Sequence, residues 1–121
     1  MEYGDLRSRF RHFAVGVFEA LDLFPGGVGS RVVQHQLARS ASSAAANYRA
    51  AQRATSRAEF LSKLHVAFEE TDESAFWLEF AVASKLVSGV AIAGLTQEAD
   101  ELCAILARSQ KTARIRAVKP Q

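Results

Sequence analysis

Residues 30–51 read SRVVQHQLARSASSAAANYRAA, and this stretch decides the fold. An apolar row at helical spacing runs through it, from Val33 and Leu37 to Tyr48 and Ala51, and predicts an amphipathic helix. The side chains between the bulky ends of this row, at residues 38–46, are mostly alanine and serine. Because small side chains let another helix approach closely, the stretch predicts a tightly packed helix pair.

Three more segments show the same helical periodicity. We expect helices at about 5–24, 30–53, 57–86 and 96–117, separated by Pro25-Gly26-Gly27, by residues 54–55 and by Ser88-Gly89. Ser30 and Thr96 are predicted N-caps, and Ser56 with Glu59 forms a capping box. The apolar stripe of the first helix is Leu6, Phe10, Phe13, Ala14, Val17, Phe18 and Leu21.

The predicted fold is an all-α, antiparallel up-and-down four-helix bundle that occupies residues 1–121 as a single domain. No segment alternates as a strand does, and the chain is long enough for one core but not two. The lone Cys103 excludes an internal disulfide and fits a reducing compartment. No apolar run reaches the roughly 18 residues of a membrane span. The first residues lack a signal-peptide core, so we expect a cytoplasmic protein without a membrane role.

Charge is strongly segregated along the chain, although the net charge is only +2. Residues 23–58 contain five arginines and no acidic residue, whereas residues 59–79 contain six carboxylates and the single Lys63. This pattern is typical of an interaction surface. The predicted nucleic-acid-binding residues are Arg31, Arg39, Arg49, Arg53 and Arg57.

Two interpretations of these arginines remain open. Arg31, Arg39, Arg49 and Arg53 project within about 80° of one another on the second helix, away from its apolar row, and arginine suits phosphate recognition. Alternatively they are solvated or paired with carboxylates of the third helix (Glu69, Asp72 and Glu73); Arg39 with Glu73 is one possible pair. The basic C-terminal segment, from Arg108 to Lys119, is a possible second polyanion contact.

The third helix is apolar on two sides. Phe76 and Phe80 project nearly opposite its Phe60 face, with Trp77 between the two sides. These three aromatic residues either cap the end of the bundle or contact another subunit; we favour the subunit contact, since exposed aromatic clusters are typical of interfaces. Asn47, at the edge of the apolar row, is predicted to hydrogen-bond a neighbouring helix and fix its register.

Nothing in the sequence predicts catalysis, a metal site or a cofactor. His12, His35 and His65 fall on different helices without a second ligand at helical spacing, and the paired Glu-x-x-His motifs of di-iron bundles are missing. There is no phosphate loop or nucleophile elbow. Cys103 lies in the apolar row of the fourth helix, as an inert core residue would.

Three segments resemble a known family: RSASSAAANYRAA (residues 39–51), SRAEFL (56–61) and DESAFWLE (72–79). The chain resembles the bacterial four helix bundle proteins related to those encoded in intervening sequences of large-subunit ribosomal RNA. That family includes the accessory variability determinant of diversity-generating retroelements. The anchors in order are Arg39, Ser43, Asn47, Phe60, Leu64, Ala67, Glu73 and Leu78. Arg49-Ala50-Ala51 replaces the commoner Ala-Glu-Gly, so no role of that glutamate transfers.

The resemblance implies a bundle that self-associates, with a cyclic pentamer as the best-known arrangement. In the retroelement members a basic surface engages nucleic acid and a partner reverse transcriptase. Our hypothesis is therefore a non-catalytic, homo-oligomeric accessory or scaffold protein associated with RNA or DNA. The alternative is a protein–protein interaction module whose basic face binds an acidic partner or the neighbouring subunit's Glu69, Asp72 and Glu73.

Overall fold

The structure is a computed structural model that describes residues 2–118, with side chains described for residues 6–116. Within this range the chain forms α1 (Glu2–Ala20), α2 (Val28–Gln52), α3 (Arg57–Ala83) and α4 (Ala93–Val118), and a 3₁₀ turn at Leu21–Leu23 follows α1. No β-strand occurs in residues 2–118. Each helix packs against the next in sequence and α4 returns to contact α1. The predicted all-α bundle is confirmed.

One continuous core lies between the helices, built from the predicted apolar rows. Its largest fully buried side chains include Phe10, Leu37, Leu64, Leu78 and Leu102. In α1 the predicted stripe is wrong at Phe18, whose side chain is 52% exposed and does not belong to the inward stripe. The buried row of α1 steps from Phe10 and Phe13 to Val17, and the next residue is rotated about 100° away from it.

The closest helix pair is α2 with α3, which share the most extensive contact in the bundle. Ala41 and Ala44 of α2 are completely buried in the core. The Ser40 and Ser74 hydroxyl oxygens, one from each helix, lie 2.9 Å apart. A serine hydroxyl extends only one carbon beyond the backbone, so this hydrogen bond requires the two helix backbones to approach closely. The small residues of α2 permit that approach, as the sequence predicts.

Two of the predicted helix starts are wrong. Gly27 is the N-cap of α2, with a φ of 120°, and places the first helical residue at Val28. Ser30 therefore lies inside the first turn, where its buried hydroxyl has no hydrogen-bond partner among the described residues. α4 begins at Ala93, and Thr96 donates its hydroxyl to the Ile92 carbonyl 3.2 Å away. Both polar residues are inside helices because α2 begins at Val28 and α4 at Ala93, ahead of the predicted caps.

The end of α3 comes before the predicted Ser88-Gly89 break. Lys85 adopts a left-handed conformation, with a φ of 63°. Its amide donates to the Val82 carbonyl, and the Leu86 amide donates to the Ala81 carbonyl. These two bonds form a Schellman motif, which usually has glycine at the left-handed position. The sequence offers no glycine there, which explains why the prediction placed the end of the helix too late.

The capping box at the start of α3 is present with one change of partner. The Ser56 hydroxyl accepts the Glu59 amide at 3.0 Å, as predicted. The Glu59 carboxylate accepts from the amide and the hydroxyl of Thr55, at 3.0 and 3.1 Å, rather than from the Ser56 amide. The bond from the Thr55 amide is the main reason why the pKa of Glu59 is lowered.

We expect Ala44→Leu to destabilise the protein by about 1–3 kcal/mol, because added volume on the buried face of α2 would force the helices apart. Urea unfolding followed by circular dichroism measures the change. Ala46→Leu is the matched control, since Ala46 is exposed on the same helix and leucine and alanine have similar helix propensities. Equal unfolding midpoints for the two variants would contradict the close packing described above.

Candidate nucleic-acid interface

Arg39 is held by carboxylates of α3. Its Nη1 donates to both carboxylate oxygens of Glu70, at 3.1 and 3.2 Å, and its Nη2 donates to Glu73. Its Nε donates to Gln36 at 3.1 Å. The hydrogen bond to Glu73 is the largest cause of the raised pKa of Arg39. The pairing of Arg39 with Glu73, one of the two interpretations of the sequence, is therefore present.

In this arrangement Arg39 is paired within the chain, and its nucleic-acid-binding role stays a prediction. Its Nη1 and Nη2 already donate to two carboxylates, so a phosphate would compete with Glu70 and Glu73 for these groups. Glu73 also accepts from Trp77 Nε1 at 3.0 Å. The hydrogen bond from Arg39, followed by that from Trp77, lowers the pKa of Glu73. Arg39, Glu73 and Trp77 form one hydrogen-bonded chain across the α2–α3 contact.

The prediction that Asn47 bonds a neighbouring helix is wrong. Its Nδ2 donates to the Ser43 carbonyl at 2.9 Å and to the Ser43 hydroxyl at 3.2 Å, both on its own helix. The Ser43 hydroxyl donates in turn to Glu70 of α3 at 3.3 Å. An amide one helical turn after a serine can reach back along the same helix, so Asn47 contacts α3 only through Ser43.

The other predicted arginines do not form one continuous surface. Arg31, Arg49, Arg53 and Arg57 are all exposed, and none has an ion-pair partner among the described residues. Arg31 is in the first turn of α2 and Arg49 in the last, a separation of about 27 Å at 1.5 Å per residue. The paired Arg39 lies between them. Arg49, Arg53 and Arg57 therefore belong to one end of the bundle and Arg31 to the other.

The last turns of α4 bring more cations to the end that carries Arg49. Neighbouring helices are antiparallel, so the end of α2, the start of α3 and the end of α4 lie together. Lys119 is outside the described residues. No described cation at this end has a carboxylate partner in an ion pair, except Arg9. We call the following exposed residues the basic end: Arg49, Arg53, Arg57, Arg108, Lys111, Arg114 and Arg116.

An open cleft of about 830 Å³ lies at this end, between all four helices. Arg57, Arg108 and Arg116 of the basic end are among its lining residues. Its apolar lining comes from Leu6, Phe60, Leu64, Ile105 and Ala113, and its neutral polar lining from Tyr48, Gln52, Ser109 and Thr112. The Tyr48 ring stacks on Phe10 with centroids 4.8 Å apart. The sequence did not predict this cleft, because it arises from residues of four separate segments.

Arg9 also lines the cleft, but its charge is compensated. Its Nη2 and Nε donate to the Glu98 carboxylate at 2.7 and 2.9 Å, and Nη2 also donates to Glu101 at 2.9 Å. Hydrogen bonding to Glu98 is the largest cause of the raised pKa of Arg9. No local pattern in the sequence predicts this contact, since Arg9 and Glu98 are about 90 residues apart. It joins the first and last helices.

Phe76, Trp77 and Phe80 form a cluster on the outer side of α3. Their ring centroids are 4.9 Å apart for Phe76–Trp77, 5.6 Å for Trp77–Phe80 and 5.8 Å for Phe76–Phe80. Phe76 is 51% exposed and Phe80 is 44% exposed, whereas Trp77 is half-buried against the core. The subunit contact through this cluster stays a prediction.

His65 and Cys103, the other side chains that could be chemically reactive, are held in contacts within the bundle. His65 shares a 2.9 Å hydrogen bond with Gln110, and its Nε2 lies 3.3 Å from Glu69. Burial, followed by the charges of Asp72 and Asp100, raises the pKa of Cys103 to about 11. A thiol with such a pKa is a poor nucleophile at neutral pH. Residues 6–116 contain no group of three or more His, Cys, Asp and Glu side chains that could hold a metal ion.

Comparison with known proteins defines the family. The family model described as 23S rRNA-intervening sequence protein matches residues 6–108. The chain therefore belongs to the 23S rRNA-intervening sequence protein family, as its sequence resemblance implies. No curated protein matches the chain. None of the described helices combines the length and the apolarity needed to cross a bilayer.

A crystal structure is similar over nearly the whole chain. It is a protein of unknown function from the S23 ribosomal protein family of Bacteroides thetaiotaomicron, solved at 1.70 Å resolution. The two share 26% sequence identity with a TM-score of 0.83, and the match covers 92% of this chain and 99% of the other. The four-helix architecture is thus shared with a solved structure.

We expect Glu73→Gln to lower stability at neutral pH but not in acid. The lowered pKa means that ionised Glu73 stabilises the fold above its ordinary pKa of 4.5, and this contribution disappears as the pH falls through the lower folded-state pKa. The pair is partly exposed, so solvent screening limits the effect to about 1 kcal/mol. Thermal unfolding at pH 7 and pH 3 measures it.

Glu79→Gln is the control for this comparison, because Glu79 is exposed on α3 and lacks an ion-pair partner among the described residues. Its melting temperature should match that of the wild type at both pH values. A Glu73→Gln deficit that persists unchanged at pH 3 would show that the charge of Glu73 is not what stabilises the α2–α3 contact.

Proposed function

We propose that this protein is a non-catalytic, homo-oligomeric accessory or scaffold protein of the cytoplasm that binds nucleic acid through its basic end. The observation that carries the proposal is the set of exposed cations that α2, α3 and α4 bring to one end of the bundle, where none of them has a carboxylate partner among residues 6–116. Unpaired arginines can bind phosphates without first breaking an internal ion pair. Their binding would release counterions from the nucleic acid, so affinity should depend strongly on salt.

The chemistry of these side chains favours a polyanion. Most of the cations of the basic end are arginines, whose planar guanidinium donates two parallel hydrogen bonds to a phosphate and stays charged. A few of the cations on α4 would suffice to stabilise the negative end of that helix, so the others remain available for a ligand. The description of the family refers to an intervening sequence of 23S ribosomal RNA. The resemblance to retroelement accessory proteins implies a nucleic-acid role and a reverse transcriptase partner. Both support nucleic acid as the ligand.

The alternative, a purely protein-binding module, has less support. It requires Glu69, Asp72 and Glu73 to receive the basic face of a neighbouring subunit. Arg39 of the same chain already engages Glu73 and Glu70, which reduces the acidic charge available to a neighbour. The exposed aromatic cluster of Phe76, Trp77 and Phe80 is the better candidate for self-association, because apolar aromatic side chains are enriched in such contacts. A pentamer is the arrangement that the family resemblance implies.

We expect the double variant Arg49→Glu/Arg53→Glu to bind RNA or DNA at least about tenfold more weakly at low salt, because two phosphate contacts are replaced by repulsion. The slope of the logarithm of affinity against the logarithm of salt concentration should decrease by about 1.5 to 2. Fluorescence anisotropy titrations at several salt concentrations measure both quantities.

Arg31→Glu is the control, since it changes the net charge as much as either single substitution at the basic end and Arg31 is exposed at the opposite end of α2. Its effect on affinity should be much smaller than that of either substitution at the basic end. Unchanged affinity of the double variant at low salt would refute nucleic-acid binding at this end. An equal loss for Arg31→Glu would instead place the contact along the whole of α2.

We expect Phe76→Ser combined with Phe80→Ser to reduce the oligomer to smaller species, because the apolar surface of the proposed subunit contact is lost. Light scattering coupled to size-exclusion chromatography gives the mass directly. Phe18→Ser is the matched control, since Phe18 is exposed to the same degree but lies on α1. A mass that is unaffected by the α3 substitutions, or one that changes only with Phe18→Ser, would contradict the assignment.

A further inference from the structure

We infer that the cleft at the basic end receives an unstacked base of a single-stranded nucleic acid, so that the protein prefers single strands or loops to duplexes. The inference rests on the proposed function and specifies its ligand. Three properties of the cleft support it: the position of its exposed cations, its apolar lining, and its neutral hydrogen-bonding side chains.

The cleft cations that have no ion-pair partner among the described residues are exposed on its rim. Arg57 begins α3, whereas Arg108 and Arg116 are two turns apart on α4, a separation of about 12 Å along the helix. Arg9 is the exception, because Glu98 and Glu101 compensate it. Phosphates of a strand that crosses the opening can therefore contact Arg57 on one side and the two α4 arginines on the other. This part of the site would serve duplex and single strands alike.

The apolar lining distinguishes the two kinds of nucleic acid. Phe60 and Ile105 are only half-buried, while Leu6 and Leu64 beneath them are buried. A duplex presents phosphates and sugars at its surface, so it would bind the rim cations and leave this lining in water. An unstacked base would cover it, and single-strand readers gain affinity through such apolar and aromatic contacts with bases.

The neutral polar side chains favour a base over an acyl chain. Gln52, Ser109 and Thr112 bring amide and hydroxyl groups to the cleft, which can donate to and accept from the edge of a base. An acyl chain would leave these groups without partners. The cleft volume of about 830 Å³ falls in the range of roughly 300–1,000 Å³ that is usual for ligand sites.

The first experiment compares three ligands of equal phosphate number by fluorescence anisotropy with the wild-type protein. They are a short single-stranded RNA, an RNA duplex with half as many base pairs, and the same single strand with alternate nucleotides made abasic. The intact single strand should bind about tenfold more tightly than either of the other two, since base contacts contribute on this scale. Equal affinity for the intact and abasic strands would overturn the inference.

The second experiment blocks the cleft without changing its charge. Thr112→Phe fills the opening from α4 and should abolish the tenfold preference while leaving binding of the abasic strand unchanged. Ala107→Phe is the matched control, because Ala107 is exposed on the same helix but points away from the cleft, about 140° around the helix from Thr112. A preference retained by Thr112→Phe, or lost in Ala107→Phe, would show that the base does not enter the cleft.

The two levels of the proposal fail in different ways. If no ligand binds even at low salt, the proposed nucleic-acid function is wrong and the inference falls with it. If all three ligands bind equally and lose affinity in Arg49→Glu/Arg53→Glu, the function stands and the inference is wrong. A single-strand preference that depends on the base and is lost in Thr112→Phe supports both.

Discussion

The close approach of α2 and α3 is the constraint on which the rest of the structure depends. A hydroxyl bond between Ser40 and Ser74 spans the two helices, and only small neighbours such as Ala41 and Ala44 leave room for it. Larger residues at these positions would increase the interaxial distance. The long side chain of Arg39 would then lose its bidentate contact with Glu70 and its bond to Glu73. Packing in the core therefore determines the electrostatics of the surface above it.

The pairing of Arg39 with Glu70 and Glu73 divides the arginines of α2 into two separate groups. A helix with an acid-free stretch would carry a continuous basic stripe if it were isolated. In the bundle, the carboxylates of α3 neutralise the middle of the stripe at Arg39, and Arg31 is left far from Arg49 and Arg53. The segregation of charge along the sequence thus concentrates the exposed cations at one end of the molecule, the end that carries Arg49 and Arg53. The basic end is completed by the C-terminal turns of α4, which are distant in sequence.

The features of the fold that depend on local periodicity could be predicted from the sequence. The four helices and the buried rows of Leu37 and Leu64 follow from spacing, because an amphipathic stripe must face the core whatever its neighbour is. The N-caps at Ser30 and Thr96 and the interhelical bond of Asn47 were wrong, since each depends on how the preceding turn or the same helix satisfies the backbone. The free energies of alternative capping and side-chain hydrogen bonds differ by only about 1 kcal/mol, so sequence alone does not select between them.

The candidate site was only partly predictable for a different reason. Arg49, Arg53 and Arg57 lie within one short segment of the sequence, so the pattern of charge was enough to select them. The cleft and the Arg9–Glu98 contact join the first and last helices, and no local signal marks such pairs. Arg39 is a case in which the residue type alone is misleading. Its guanidinium suits phosphate binding, but in the bundle it donates to Glu70 and Glu73. A charged residue on a bundle can be assigned to a ligand only once its neighbours across the helix contact are known.

The hydrogen-bonded chain of Arg39, Glu73 and Trp77 links the packing constraint to the aromatic cluster. Glu73 accepts from the indole of Trp77, and the Trp77 ring in turn contacts both Phe76 and Phe80. The exposed phenylalanines therefore pack against a side chain that is already fixed by the α2–α3 contact. A surface ordered before association loses less conformational entropy when it is buried. In the proposed function this favours the outer side of α3 for subunit contact and leaves the basic end free for nucleic acid.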